Sequence, residues 1–382
     1  GGTLSISDDK QLGKQVVETP ADPNNGILAQ RLVDDVIDST VAVDGGVLAV
    51  TESLSEVNKR KLEVGLAGAT LNVAENESVT WAGQITGGQT GGTGLVKDGA
   101  GTLRLNFEEY TLKLNAADTG TKVDANAYDG DTIIKKGVLA VGDIDTNLGK
   151  GSIVLAGGDL KLEADQSKLA AVKLSGAGGA IDTGSTVSQI VGKVTGSGEF
   201  QKKGSGTLIL STDNDYVGDT IISEGKLQIT KSGALGTSGS LVLDGGILQT
   251  AADLNLGTRS ATITNNNGTI DSANTITIDG KIDGDGQLVK SGTGTLKLTG
   301  ANTYTGSTNV NAGTLEINNE NALGSSQQIN LNNTTLAITD NATINAQVNL
   351  TNGGVINTST SNKTTTINGL ITGTGGLQKN GA

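Results

Sequence analysis

Apolar and polar residues alternate along most of this chain in runs of three to five, and glycine cuts the runs. Thr207-Leu-Ile-Leu210, Thr295-Leu-Lys-Leu298 and Thr314-Leu-Glu-Ile317 are typical. A period of two is a strand signal, and glycine at the cuts allows the positive φ of tight turns. The pattern therefore predicts strand, turn, strand, turn, with no long helix. One stretch fits less well. Residues 53–66 carry Leu54, Val57 and Leu62 around Lys59-Arg60-Lys61. They read as one short helix or a variant coil, with the basic trio as a solvated edge.

The alternating text also repeats. Residues 284–317 recur at 196–229, and more loosely at 92–105 resuming at Asn126. Tyr128, Tyr216 and Tyr304 are spaced by 88 residues, as are Gly137, Gly225 and Gly313. N-x-Y-x-G-x-T stands at Asn126, Asn214 and Asn302. The step from Leu103 to Leu208 is 105, so the first copy holds about 17 extra residues between Leu105 and Asn126. Boundaries follow: an irregular cap or loop over residues 1–40, a degenerate partial repeat over 41–91, and a repeat over 92–195 with an insertion at 106–125. Further repeats cover 196–283 and 284–372, and another starts at 373–382. An 88-residue unit divides into roughly four coils of ~22 residues, each with three short strands stacked in parallel on the next coil ~4.8 Å away. The expected fold is all-β: a parallel β-helix whose coils bury their Leu, Ile and Val only against neighbours. The tyrosines would stand four coils, ~19 Å, apart, in structural roles. Asn318-Asn319, Asn332-Asn333 and Asn265 to Asn267 fall at turns, where asparagine accepts the left-handed conformation and stacked amides form ladders.

Three segments carry a family resemblance: Gly292-Thr-Gly-Thr-Leu-Lys-Leu298, Gly300-Ala-Asn-Thr-Tyr-Thr-Gly306 and Asn311-Ala-Gly-Thr-Leu315. They resemble the autotransporter-associated β-strand repeat of type V secreted passenger domains, over residues 92–382. The resemblance implies a right-handed β-helix displayed on the bacterial surface or released from it. It also implies membrane attachment only through a C-terminal β-barrel that this fragment does not contain.

Composition narrows the core. Of 382 residues 58 are Gly and only 7 are aromatic, so the core is thin and aliphatic. Trp81 is expected to be packed inside. The chain has no Met and no signal peptide at its start, which reads as an excised or processed piece. A net charge of −13 argues against nucleic acid and anionic membranes, which need a basic footprint.

Without His or Cys, Ser-His-Asp and Cys-His catalysis and thiol or imidazole metal sites are out of reach. Carboxylates remain. Asp213, Asp215 and Asp219 cluster in one repeat, where a glycan hydrolase or lyase would need two carboxylates. Asp279, Asp283 and Asp285 fit no calcium-loop spacing and read as solvated turn residues. No catalytic residue, metal or cofactor is expected. The insertion is the candidate ligand-binding element through Phe107, Glu108, Glu109 and Tyr110, because long loops on a repeat scaffold carry binding; otherwise it is a hairpin flap that lengthens a turn. The expected function is adhesion or self-association through many polar contacts. The partner would be a host cell-surface or matrix ligand or another copy. The alternatives are a passive stalk and, third, the carboxylate enzyme.

Overall fold

Wherever the alternation runs cleanly, the computed structural model places a strand. It describes residues 2–6, 40–57, 60–107, 110–112, 121–123, 125–143, 147–358 and 363–381. Apart from residues 2–6 and Thr40, the expected N-terminal cap lies outside them. The chain forms two compact units, residues 1–188 with 196–198, and residues 189–195 with 199–382. Each is a parallel β-solenoid.

In the first unit, one sheet stacks Thr3–Ile6, Val47–Val50, Ala69–Val73, Ile85–Asp98, Ala127–Ile134, Ile153–Leu155 and Val172–Leu174. A second stacks Leu54–Val57, Ser78–Trp81, Thr102–Leu105, Val138–Val141, Asp159–Leu162 and Gly179–Asp182. Leu54–Val57 and Lys61–Val64 are strands, so the described part of residues 53–66 follows the variant coil and not a helix. Trp81 is 1 % exposed, as expected, although its indole N–H has no hydrogen-bond partner. The one antiparallel pair described in this unit joins Tyr110–Leu112 to Thr121–Val123 inside the insertion.

The second unit shows the coil plainly. Leu241–Leu243, Ile247–Thr250 and Leu254–Asn255 make one turn, and Ala261–Ile263, Gly268–Ser272 and Thr275–Ile278 make the next. Three strands per coil is the expected number. Side chains that alternate inward form columns: Leu208, Leu227, Leu248 and Ile270 lie side by side in register. Each buried aliphatic side chain in such a column is worth about 1.5–3 kcal/mol, and it is covered by the coils on either side.

The repeat length and the coil length do not match. Phe200, Thr220, Leu241, Ala261 and Ile282 are successive partners in one sheet, so four coils use 82 residues. An 88-residue repeat is therefore four coils and about a third. The six residues left over carry Leu288, the equivalent of Phe200, onto a different sheet beside Gly268 and Thr308. Equivalent positions in successive repeats thus face different sides. Thr220, the partner of Tyr216, pairs with Leu241, whereas Thr308, the partner of Tyr304, pairs with Ile329 in another sheet. Tyr216 and Tyr304 do not line up along one face.

Glycine lets the coils approach at their corners. Gly313 has φ 72°, and a Cβ there would lie 2.3 Å from the Gly294 carbonyl oxygen and 2.7 Å from that of Gly292. Gly257 has a similar φ of 61° but open space around it. Gly257→Ala should cost about 1–2 kcal/mol, the strain of a left-handed non-glycine residue. Gly313→Ala should cost about twice that or more, because backbone must also move. Denaturant midpoints of the two variants measure the difference; equal losses would show that the corner is not tight.

Candidate contact surfaces

The repeated motif turns its chemistry inward. Asn214 and Asn302 are buried where the chain between strands has left the ladder. Asn302 Oδ1 accepts the Ile282 amide at 2.8 Å and its Nδ2 donates to the Ala322 carbonyl at 2.5 Å. Asn214 does the same with Val194 at 2.8 Å and Ala234 at 2.6 Å. In the first unit Asn126 joins the Ile85 amide to the Asn147 carbonyl. One side-chain amide therefore ties a coil to the coils before and after it.

Tyr128, Tyr216 and Tyr304 are fully buried, in the structural role expected, and Phe200 lies against Tyr216 with ring centroids 5.8 Å apart. Each hydroxyl bonds the motif threonine, at 2.6, 2.6 and 2.8 Å for Thr132, Thr220 and Thr308. Burial pushes the phenols of Tyr128 and Tyr216 up to about 12, with the threonine bond opposing. These side chains stay neutral and out of reach of a ligand.

The alternation also places three lysines inside. Leu288 and Lys290 share one face of their strand, and Lys290 stands in the inward column between Ile270 and Val310. Its Nζ donates to the carbonyls of Ser291 at 2.6 Å, Gly292 at 2.7 Å and Ala312 at 3.4 Å. Lys202, 88 residues earlier, donates to Lys203, Gly204 and Glu224 at 2.7, 2.7 and 3.3 Å. In the first unit Lys97 donates to Asp98, Gly99 and Lys136 at 2.8, 2.7 and 3.1 Å. An ammonium has three hydrogens and no lone pair, so three carbonyls suit it. Two carbonyls come from the lysine's own corner and the third from a later one. Burial pulls Lys97 and Lys290 down to about 8, opposed by Asp98 and Asp271 respectively. Arg259 works similarly, donating to the carbonyls of Ser238, Gly239 and Gly236.

The acidic candidates take different partners. Asp213 pairs with Lys231 at 3.9 Å, Asp215 with Lys193, and Asp219 accepts the Ser240 amide at 2.6 Å. Asp279 accepts from Thr299 and Asn255, Asp283 from Thr262, and Asp285 from Thr305. The hydrogen bonds from Thr299 and then Asn255 hold the Asp279 carboxyl below its usual range. Among the described residues no group of three or more acidic side chains is placed to hold a metal ion.

In the insertion, Phe107 is 4 % exposed and its amide donates to Asn147 Oδ1 at 2.7 Å. Glu108 and Glu109 lie outside the described residues, and Tyr110 opens the first strand of the hairpin. Within the insertion, Asn106 is exposed and Phe107 is not.

Part of what faces outward in the second unit is a polar row. Asn309, Asn330, Asn349 and Thr372 are successive partners in register. Their amides form a ladder: Asn349 Nδ2 donates to Asn330 at 3.0 Å, Asn330 Nδ2 to Asn309 at 2.5 Å, and Asn309 Nδ2 to Gln287 Oε1 at 2.9 Å. At the corners Asn267 and Asn333 have φ 68° and 54°, as expected for turn asparagines, and Asn352 donates to Asn332 at 2.6 Å. A shallow depression of about 200 Å³ beside this face is lined by Leu323, Ser325, Ser326, Gln327, Asn345 and Ala346, among others. The strand-borne ladder and the buried lysines were not anticipated from sequence.

Residues 95–141, 200–229 and 288–317 match the passenger-associated-transport-repeat family. The chain is 34 % identical over 240 residues to the adhesin BmaC autotransporter of Brucella suis. That match covers 60 % of this chain and 6 % of the relative's length. No solved structure matches the chain.

Proposed function

We propose that this chain, a segment of an autotransporter passenger carried outside the cell on its transport-associated repeats, acts as an adhesive surface without catalytic chemistry. The observation that carries the reading is where the functional groups point. Asparagine, tyrosine, threonine and lysine of the motif are spent inside, holding coil to coil. Among the outward positions, Asn309, Asn330 and Asn349 repeat from coil to coil as a polar row. A row of modest contacts presented many times on a cell gains avidity without any one strong site. The name of the Brucella relative as an adhesin agrees with this, and the Asp213, Asp215 and Asp219 carboxylates are each engaged elsewhere. The partner is a host cell-surface or matrix component, or another copy of the chain. In its native setting the segment is anchored at the outer membrane or released.

A passive stalk is the second reading. It is favoured by the small share of the relative's length that the chain spans. Beads coated with the 382-residue protein separate the two. Saturable retention on cultured host cells or matrix-coated wells, or bead-to-bead clumping, is the adhesive outcome. Beads that ignore cells, matrix and one another leave the stalk.

A further inference from the structure

The second unit holds a neutral sector in an acidic protein. Residues 298–378 contain four charged side chains, Glu316, Glu320, Asp340 and Lys363, in 81 positions, whereas the whole chain has 27 basic and 40 acidic residues in 382. Three of the four are in ion pairs, Glu316 with Lys297 at 2.9 Å and Asp340 with Lys363 at 2.6 Å. The face of this sector is the amide ladder of Gln287, Asn309, Asn330 and Asn349, with Gln328 and Gln347 in the next outward row.

We propose that this amide face docks on the same face of a second copy of the chain, an inference that rests on the adhesive reading above and names its partner. Three considerations choose the occupant. The first is charge: at −13, two copies repel over most of their surface, and the neutral sector is where they approach without that cost. The second is self-complementarity. The ladder uses one N–H and one lone pair of an amide such as Asn330, leaving a second of each to meet an identical amide. Two identical faces related by a two-fold axis carry the same ~4.8 Å coil spacing, so all the amides come into register together. The third concerns sugars, which favour aromatic platforms. Trp81, Phe107, Tyr128, Phe200, Tyr216 and Tyr304 are all buried, and the face itself offers no ring.

Five coils at ~4.8 Å and four residues at ~3.3 Å give a strand surface of roughly 300 Å² per copy. A stable dimer buries about 800 Å² on each partner. The contact is therefore weak for a single pair in solution and effective only between arrays. Its salt response follows from the charge argument: screening removes the repulsion and leaves neutral hydrogen bonds, so added salt strengthens it. Docking through ion pairs would respond in the opposite sense.

The test is clumping of beads coated at fixed density with the 382-residue protein, followed by light scattering from low salt to about 0.5 M. Wild-type beads should clump, and more so as salt rises. The triple variant Asn309→Asp, Asn330→Asp, Asn349→Asp should reduce clumping at least tenfold. A control triple with the same added charge on another sheet, Thr277→Asp, Thr295→Asp, Thr335→Asp, should clump like wild type. Beads carrying Asn309→Lys, Asn330→Lys, Asn349→Lys should fail with themselves yet clump with the aspartate triple. That rescue would also show that both variants fold. Equal behaviour of the two aspartate triples, or clumping that falls as salt rises, overturns the proposal. So does an absence of clumping at every density and salt. Beads retained on host cells or matrix in that last case would leave the adhesive reading standing and remove only this inference.

Discussion

Lys290→Ala should destabilise the second unit by about 5 kcal/mol or more, seen as a lower denaturant midpoint and faster amide exchange around residues 288–317. Two losses add. The aliphatic stem fills a place in the inward column between Ile270 and Val310, and emptying such a place costs about 2–5 kcal/mol. The carbonyls of Ser291, Gly292 and Ala312 also lose their donor, at about 1–3 kcal/mol for each one left without water. Lys290→Met keeps the stem, so it should recover the first loss and retain the second. Exchange mapping matters here because solenoid coils can open locally before the whole unit does. The lysine also has a pH signature. Burial lowers it to about 8 in the folded chain against 10.5 unfolded, with Asp271 opposing. Between those values the unfolded chain binds more protons, so stability should rise with pH across that window. The rise is complete above the unfolded value and is lost as pH falls through 8. Lys290→Met should lack its share of that rise. An alanine variant as stable as wild type would mean that the ammonium holds nothing together.

The lysines show how far the sequence could be read. Leu288-Val289-Lys290 alternates as cleanly as any strand in the chain, and parity alone puts Lys290 on the face of Leu288. Residue type argues the other way, since an unpaired charge does not enter a core. The conflict resolves only once the coil closes, because the third carbonyl belongs to Ala312, 22 residues on. Spacing was misleading in a similar way. The 88-residue period and the three-strand coil were both legible. Their ratio was not, because register steps of 20 and 21 residues differ only slightly from an even quarter of 88. Within the second unit that small difference moves equivalent residues to new faces, and Tyr216 and Tyr304 with them.

The candidate surface was legible in composition and hidden in register. Turn asparagines announced themselves in pairs, and Asn267 and Asn333 hold the left-handed conformation expected of them. Asn309, Asn330 and Asn349 sit singly on three strands, each beside at least one aliphatic residue. Only the stacking of coils brings them into one ladder. Phe107 went the other way: chosen as a ligand contact for its place in an insertion, it packs inside, and Asn147 Oδ1 takes its amide.

Asn302 is the second position where a single change should do large damage. Asn302→Ala should cost about 2–6 kcal/mol, because the Ile282 amide and the Ala322 carbonyl are both left in the interior without a partner. Asn302→Asp tests the two halves of that claim separately. A carboxylate still accepts from Ile282 but turns an oxygen toward the Ala322 carbonyl, where Nδ2 had donated. Protonation restores a donor at that atom. Burial and the facing carbonyl therefore raise the folded pKa of the new acid above its unfolded value near ~3.9. With the folded value the higher one, the lost stability is present below pH ~4 and disappears as pH rises through the folded pKa. Measured against wild type at each pH, the gap for the aspartate variant should be small in acid and widen toward neutrality, while the alanine gap stays open throughout. An aspartate gap that does not change with pH would mean that the bond to Ala322 carries no weight, and that Asn302 joins its coil only to the one before it.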